Sequence, residues 1–228
     1  RLGFLNLLYV AWYRVSLKAG LRRWLFPVRC FNTEGDFFKP GKIRNDYPDF
    51  WRESLLDEAD RSINGHLKYF GYHRVNTGSP PDWFLNPFSG ARHPGIGQHW
   101  TKIPDFHPSA GDIKNIWEAS RFEWAVTLGR AYAISGDEKY LNSLNLYIKD
   151  WAERNPLNAG PNWRCGQEAS IRVFNLAIAA ELVEPTEQLL EFVYSHLKKI
   201  DRNINYAIAQ DNNHGTSEAA GLFIGGCW

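Results

Sequence analysis

What most constrains this chain is a succession of helix-length segments after Asp112, apolar on more than one side and joined by short links. Ile113, Ile116, Trp117, Trp124, Leu128 and Ala131 recur at about 3.6 residues, the period of one helix face. Ser135-Gly136-Asp137 interrupts the pattern. A second helix is predicted from Asp137 to just before Asn155-Pro156, with Tyr140, Leu141, Leu144, Tyr147, Ile148 and Trp151 inward. A third runs from Gly166 to Val183 and a fourth from Thr186 to Ala209, separated by Glu184-Pro185. A fifth opens near Thr216, where Thr216 or Ser217 would cap it and Glu218 suits its first turn. The third helix carries Ile171, Val173, Phe174, Leu176, Ala177, Ile178 and Ala180, the pattern of a helix covered on both flanks. Consecutive antiparallel helices build a bundle, a solenoid or a closed ring of hairpins. Two-sided burial favours a layered ring or solenoid, and no repeat of fixed length is visible, so the ring is preferred. Strand-like alternation is nowhere sustained.

The chain divides by composition into residues 1–111, an N-terminal helix and an aromatic-rich wrapping segment, and residues 112–228, the helical part. One helix is expected in the first portion from Tyr47 to about Tyr69. The remainder, rich in Pro, Gly, Asp and Asn, carries Phe37, Phe38, Trp51, Phe70, Trp83, Phe84, Phe88, Trp100 and Phe106, too much apolar surface for disorder, and is read as ordered loop wrapping the helical body. The run from Gly3 to Tyr13 is apolar apart from Asn6 but too short to span a bilayer. Arg14, Lys18 and Arg22 form a basic stripe on that helix, read as a solvated face. With no Met and a start at Arg1, the sequence reads as a piece of a longer protein.

Net charge is +1, which gives no electrostatic case for nucleic acid. Aromatics make up 15% of the residues, with ten Trp, a surplus that suits clefts in which rings stack on sugars. Cys30, Cys165 and Cys227 are far apart and odd in number, so neither a disulfide framework nor a zinc site follows. His214 and Glu218 stand at i, i+4, but no third ligand lies at a suggestive spacing, so no metal is expected.

Chemistry gathers at Asp211-Asn-Asn-His-Gly-Thr-Ser-Glu218, where polar groups enter the apolar run Ala219–Ile224 at a helix start. Helix N-terminal amides favour an anionic group, and a carboxamide beside an imidazole can hold a carboxylate. Within the helices Glu118 and Arg121 stand at i, i+3 and Glu168 and Arg172 at i, i+4, spacings at which charges pair.

Four motifs in order carry a resemblance: Gly111-Asp-Ile-Lys-Asn-Ile-Trp-Glu-Ala-Ser-Arg-Phe122, Ser135-Gly-Asp-Glu-Lys-Tyr140, Asn162-Trp-Arg-Cys-Gly-Gln-Glu-Ala-Ser-Ile-Arg172 and Asn212-Asn-His214. Together they resemble the helical N-terminal half of the heparinase II/III-like polysaccharide lyases, relatives of alginate and heparan-sulfate lyases. The resemblance implies an incomplete (α/α) toroid, followed in intact relatives by an antiparallel β-sheet domain, and cleavage of an acidic polysaccharide by β-elimination. It implies no cofactor for this portion and a bacterial setting, periplasmic or secreted with the cytoplasm as the alternative. On the family pattern Asn213 matches the carboxylate-binding Asn, and His214 the His that assists neutralisation or acts as base. The family's catalytic Tyr is expected beyond Trp228, with Tyr206 left to packing. Asn212, Gln210, Glu118, Arg121, Trp163, Glu168 and Arg172 are candidates for substrate binding or for holding the site groups. The alternatives are a glycoside hydrolase on a similar ring, using Glu118 and Glu168, and a non-catalytic carbohydrate-binding protein of a surface-polysaccharide pathway.

Overall fold

The computed structural model describes residues 3–44 and 48–228, apart from the side chains of residues 49 and 50. An N-terminal arm, α1 (Phe4–Lys18) and α2 (Leu21–Leu25), is followed by α3 (Asp49–Ile63). The body comprises α4 (Lys114–Trp117), α5 (Glu123–Ser135), α6 (Glu138–Arg154), α7 (Gly166–Ala180), α8 (Glu187–Asp201), α9 (Ile204–Ala209) and α10 (Asn213–Gly226). Helix α5 packs on α3, α6 and α7, α7 on α8 and α10, and α10 on α8 and α9. The result is mainly α, an incomplete (α/α) toroid. No described helix is long and apolar enough to cross a membrane.

Strands are short and antiparallel. They pair as β1 (Phe38–Lys39) with β8 (Glu184–Pro185), β2 (His66–Tyr69) with β3 (His73–Asn76), β4 (Leu85–Asn86) with β5 (Ala91–Arg92), and β6 (Phe106–His107) with β7 (Gly111–Asp112). The β1–β8 pair ties the wrapping segment to the α7–α8 link, with Phe38 opposite Pro185. Inside it, Phe37, Phe38, Trp83, Phe84 and Trp100 are buried in the same core as Leu128, Leu144, Trp151 and Leu176 from the helices, whereas Trp51, Phe88 and Phe106 stay exposed.

One buried amide secures that wrapping. Asn145 Oδ1 accepts from the backbone N–H groups of Phe37 and Phe38, and its Nδ2 donates to the Phe38 carbonyl. Asn145→Ala strands all three main-chain groups away from water, so it is expected to lower stability by about 2–4 kcal/mol. Urea unfolding of the two proteins measures this, and a loss under about 0.5 kcal/mol would show that water replaces the amide.

Four helix boundaries depart from the sequence reading. The helix expected from Asp112 to the Ser135-Gly136-Asp137 turn is broken, because Glu118–Arg121 tighten into a 3₁₀ turn and Phe122 takes φ +68°. That left-handed residue is fully buried against Trp124 and Trp151, and the Arg121 carbonyl turns out to accept from Asn175 Nδ2 at 2.8 Å. Helix α3 stops at Ile63 rather than Tyr69, and its expected start at Tyr47 lies outside the described residues. Gly65, at φ +83°, passes so close to Gly78 that a Cβ would lie 2.7 Å from backbone, and this crossing begins the β2–β3 hairpin. The fourth predicted helix is two, because Asn203 interrupts it: its Nδ2 donates to the Lys199 carbonyl and its Oδ1 accepts from Arg22. Finally, α10 is capped by Asn212, whose side chain accepts from the His214 N–H at 3.0 Å, not by Thr216 or Ser217. Asn213 and His214 thus occupy the first turn of the helix instead of the loop before it.

Candidate functional site

Helix α10 approaches α7 closely because small residues face each other. A Cβ on Gly221 would lie 2.6 Å from Ser170 Oγ, and one on Gly166 would lie 2.5 Å from Glu218. This approach brings the first turn of α10 against the start of α7. Beside it opens a hollow of about 470 Å³. Its wall takes Tyr13 from α1, Trp100, Ile113 and Trp117 from the wrapping segment and α4, Arg164 and Cys165 before α7, Lys199 and Asn203 around the end of α8, Tyr206 and Gln210, and His214 and Glu218 from α10.

His214 is strongly perturbed there. Its Nδ1 lies 3.7 Å from Cys165 Sγ and 3.6 Å from Glu218 Oε1. The Cys165 contact first, then the Glu218 contact, raise the imidazole to about 10 against the opposing effect of burial. It is therefore a cation at neutral pH, held by a carboxylate one helical turn away. Glu218 is itself buried, and its Oε2 has no hydrogen-bond partner among the described residues. No cluster of three metal-ligating side chains occurs among the described residues.

The other predicted residues divide sharply. Gln210 lines the hollow, and its Oε1 is 3.5 Å from Asn212 Nδ2. Asn212 and Asn213 are exposed at the mouth of α10, and Asn213 does not line the hollow itself. Trp163 and Arg172, expected near substrate, are fully buried. Trp163 donates to the Asn155 carbonyl, and the Arg172 guanidinium lies over the rings of Trp151 and Trp163, donating to His196 Nε2 and the Asn162 carbonyl. Burial lowers Arg172 to about 10 and, with the Arg172 charge, holds His196 well below the ordinary histidine value.

Glu168 does not pair with Arg172 as its spacing suggested. Both Glu118 and Glu168 bind Arg121: Glu168 accepts two parallel hydrogen bonds of 2.8 Å, Glu118 accepts from Nη1, and Glu118 also takes the Phe70 N–H at 2.7 Å. None of these three lines the hollow.

Sequence reasoning missed Tyr13, Trp100, Trp117, Arg164, Cys165, Lys199 and Asn203 as wall residues. One signal was available for two of them: Phe192, His196, Lys199 and Asn203 share one helical phase with the buried Leu189, and a lysine on an apolar face demands a reason. Tyr206 does pack, stacked on Tyr13 with centroids 3.5 Å apart, yet both rings also face the hollow.

A layered ring of helices with a charged, aromatic-walled hollow at the helix ends places the protein among the (α/α) toroids. More narrowly, the chain belongs to the family described as Heparinase II/III N-terminus, whose model matches residues 61–228. It is 26% identical over 152 residues to a heparin-sulfate lyase of Bacteroides thetaiotaomicron, covering 62% of this chain and 20% of that protein. A heparin-sulfate lyase of Pedobacter heparinus is 31% identical over 121 residues, 48% of this chain and 18% of that protein. The chain thus spans about a fifth of the length of these relatives. A crystal structure of a mutant heparan sulfate lyase from Pedobacter heparinus overlays 94% of this chain and 33% of its own, with a TM-score of 0.45 at 20% identity.

Proposed function

We propose that this chain is the helical part of a bacterial polysaccharide lyase that cleaves a uronic-acid-containing polymer by β-elimination. The observation that carries the reading is the place of His214 on the wall of a hollow of about 470 Å³, its Nδ1 3.7 Å from Cys165 Sγ and 3.6 Å from Glu218 Oε1, contacts that raise the imidazole to about 10 and favour its charged form. Removing the C5 proton of a uronate leaves negative charge that spreads into the adjacent carboxylate. A cation fixed against that carboxylate lowers the barrier without having to reorganise. His214 supplies the charge; Asn213, exposed at the start of the same helix and outside the hollow wall, is the amide donor that the family pattern sets beside it, one that brings no negative charge. In the reaction a base takes the C5 proton, the C5 electron pair forms the C4–C5 double bond, and the C4–O bond breaks. The departing glycosidic oxygen then takes up a proton. A protonated His214 fits neutralisation better than proton abstraction, so base and acid fall to other groups of the whole protein.

The hydrolase alternative loses support because Glu118 and Glu168 are both tied to Arg121 outside the hollow. The names of the heparin-sulfate lyase relatives favour a sulfated or uronate-rich polymer, and a periplasmic or extracellular setting is proposed with it. Alginate, heparan sulfate, hyaluronan and bacterial polyuronates offered to the intact protein test the reading. Ultraviolet-absorbing unsaturated uronate is expected from at least one of them. Reducing ends without that absorbance would establish hydrolysis instead.

A further inference from the structure

The hollow holds one buried lysine whose amine makes no hydrogen bond among the described residues. Lys199 is 3% exposed, lines the hollow, and its Nζ has no hydrogen-bond partner among the described residues. The other wall cations differ: His214 meets Glu218, and Arg164 lies 3.4 Å from Asp105, while Lys114 is exposed at the rim. The Lys199 amine sits 3.4 Å from the centroid of Trp100 and 5.3 Å from that of Phe26, ring faces that stabilise an ammonium once one is present. A lysine buried without a partner is costly to keep, and hydrophobic replacement is ordinarily tolerated at such a place.

We infer that Lys199 is the receptor for an acidic group of the guest, a carboxylate or a sulfate ester, and that binding of this group is coupled to uptake of a proton by the Lys199 amine. The inference rests on the proposed function only in taking an acidic sugar into this hollow; it uses no step of the elimination.

The titration of the surroundings agrees with the geometry. Burial above all holds the Lys199 amine well below the ordinary lysine value; Cys165 and Glu218 act upward on it, and Arg164 and Arg22 downward. His99 also faces it, its own imidazole lowered chiefly by burial and engaged by the Phe26 carbonyl and Thr101. An anion arriving beside the amine favours its charged form, so the complex binds a proton that the free protein lacks. His214 does not supply this signal near pH 8, because it is already protonated there.

Isothermal titration of the 228-residue chain at pH 8, in buffers of low and high ionisation enthalpy, measures the protons taken up. The probes are D-glucuronate for the carboxylate and N-acetylglucosamine 6-sulfate for the sulfate ester. Uptake of about one proton with at least one probe is expected, and the arm that shows it identifies the group recognised. Lys199→Met should abolish the uptake and weaken binding roughly tenfold or more. Lys199→Arg, permanently charged, should bind without uptake, and it serves as the readable variant if Lys199→Met does not fold. Binding by the wild type with no proton uptake from either probe, or uptake unchanged in both variants, overturns the inference, as does the absence of binding by both. Unsaturated product from the intact protein together with any of those results would leave the proposed function standing. Lys199-dependent uptake without product would do the reverse.

Discussion

Arg121→Met is expected to cost the fold about 3–5 kcal/mol, enough to unfold a marginal domain at room temperature. Among the described residues, Arg121 is the only positive group in ion-pair contact with two buried carboxylates, those of Glu118 and Glu168, whose side chains are each 3% exposed. Methionine keeps the apolar stem and removes the fork. Both carboxylates then remain in low dielectric, and the Glu168 oxygens lose the two hydrogen bonds they receive. Glu118 keeps only the Phe70 N–H, and burial already holds its carboxyl above the usual carboxylate range. The pH dependence follows from that direction. A carboxyl whose folded value lies above its unfolded value destabilises the fold once ionised, and the penalty is relieved as pH falls through the folded value. The deficit of Arg121→Met should therefore shrink between neutral pH and about pH 5. Arg121→Lys, which keeps the charge but not the parallel pair of hydrogen bonds, should lose less. Urea unfolding at both pH values decides the matter. A deficit under about 1 kcal/mol at neutral pH would mean that the carboxylates are solvated after all.

That cluster also shows what sequence periodicity could and could not reveal. The i, i+3 relation of Glu118 and Arg121 was legible, and so were α6, the start of α7 and the Glu184-Pro185 break, because each follows from local pattern and turn chemistry. The pairing of Glu168 with Arg121 was not, since the two are 47 residues apart and meet only after α7 packs on the 3₁₀ turn. The same holds for Phe122 and Asn203. Nothing in their own segments asks for a helix break; it is imposed by a ring buried between Trp124 and Trp151, and by Arg22 reaching from the N-terminal arm. Residues of opposite expected fate exchanged places for that reason. Trp163 and Arg172 looked like sugar-binding groups and form a core stack, whereas Tyr206 and Lys199, on helices that looked like core, face the hollow. The motif Asn212-Asn-His214 was legible as a helix entrance, but its register was not, because Asn212 outcompetes Thr216 and Ser217 as the cap.

His214→Gln should lower turnover of the intact protein on its uronate polymer by about 10²–10³-fold, the usual cost of removing one donor that meets developing negative charge. The substitution leaves a neutral amide of similar reach, so a loss of that size would report the missing charge rather than missing bulk. Dependence on pH separates the two roles open to this residue. As a cation that neutralises a carboxylate, His214 supports activity while protonated, and its contribution falls as pH rises through about 10. As a base it would have to lose its proton first, and activity would instead climb through the same range. The linkage to stability has the same sign: the folded value is raised above the unfolded one, so the stabilisation is complete below about pH 6.5 and is lost as pH rises through about 10. Glu218→Gln removes one of the two groups that raise the imidazole, so the alkaline fall in activity should move to lower pH while the neutral rate changes less than in His214→Gln. An alkaline limb that stays in place in Glu218→Gln would detach the buried carboxylate from His214. A rate that rises as pH rises toward 10 would make His214 the base and transfer the neutralising role to Asn213.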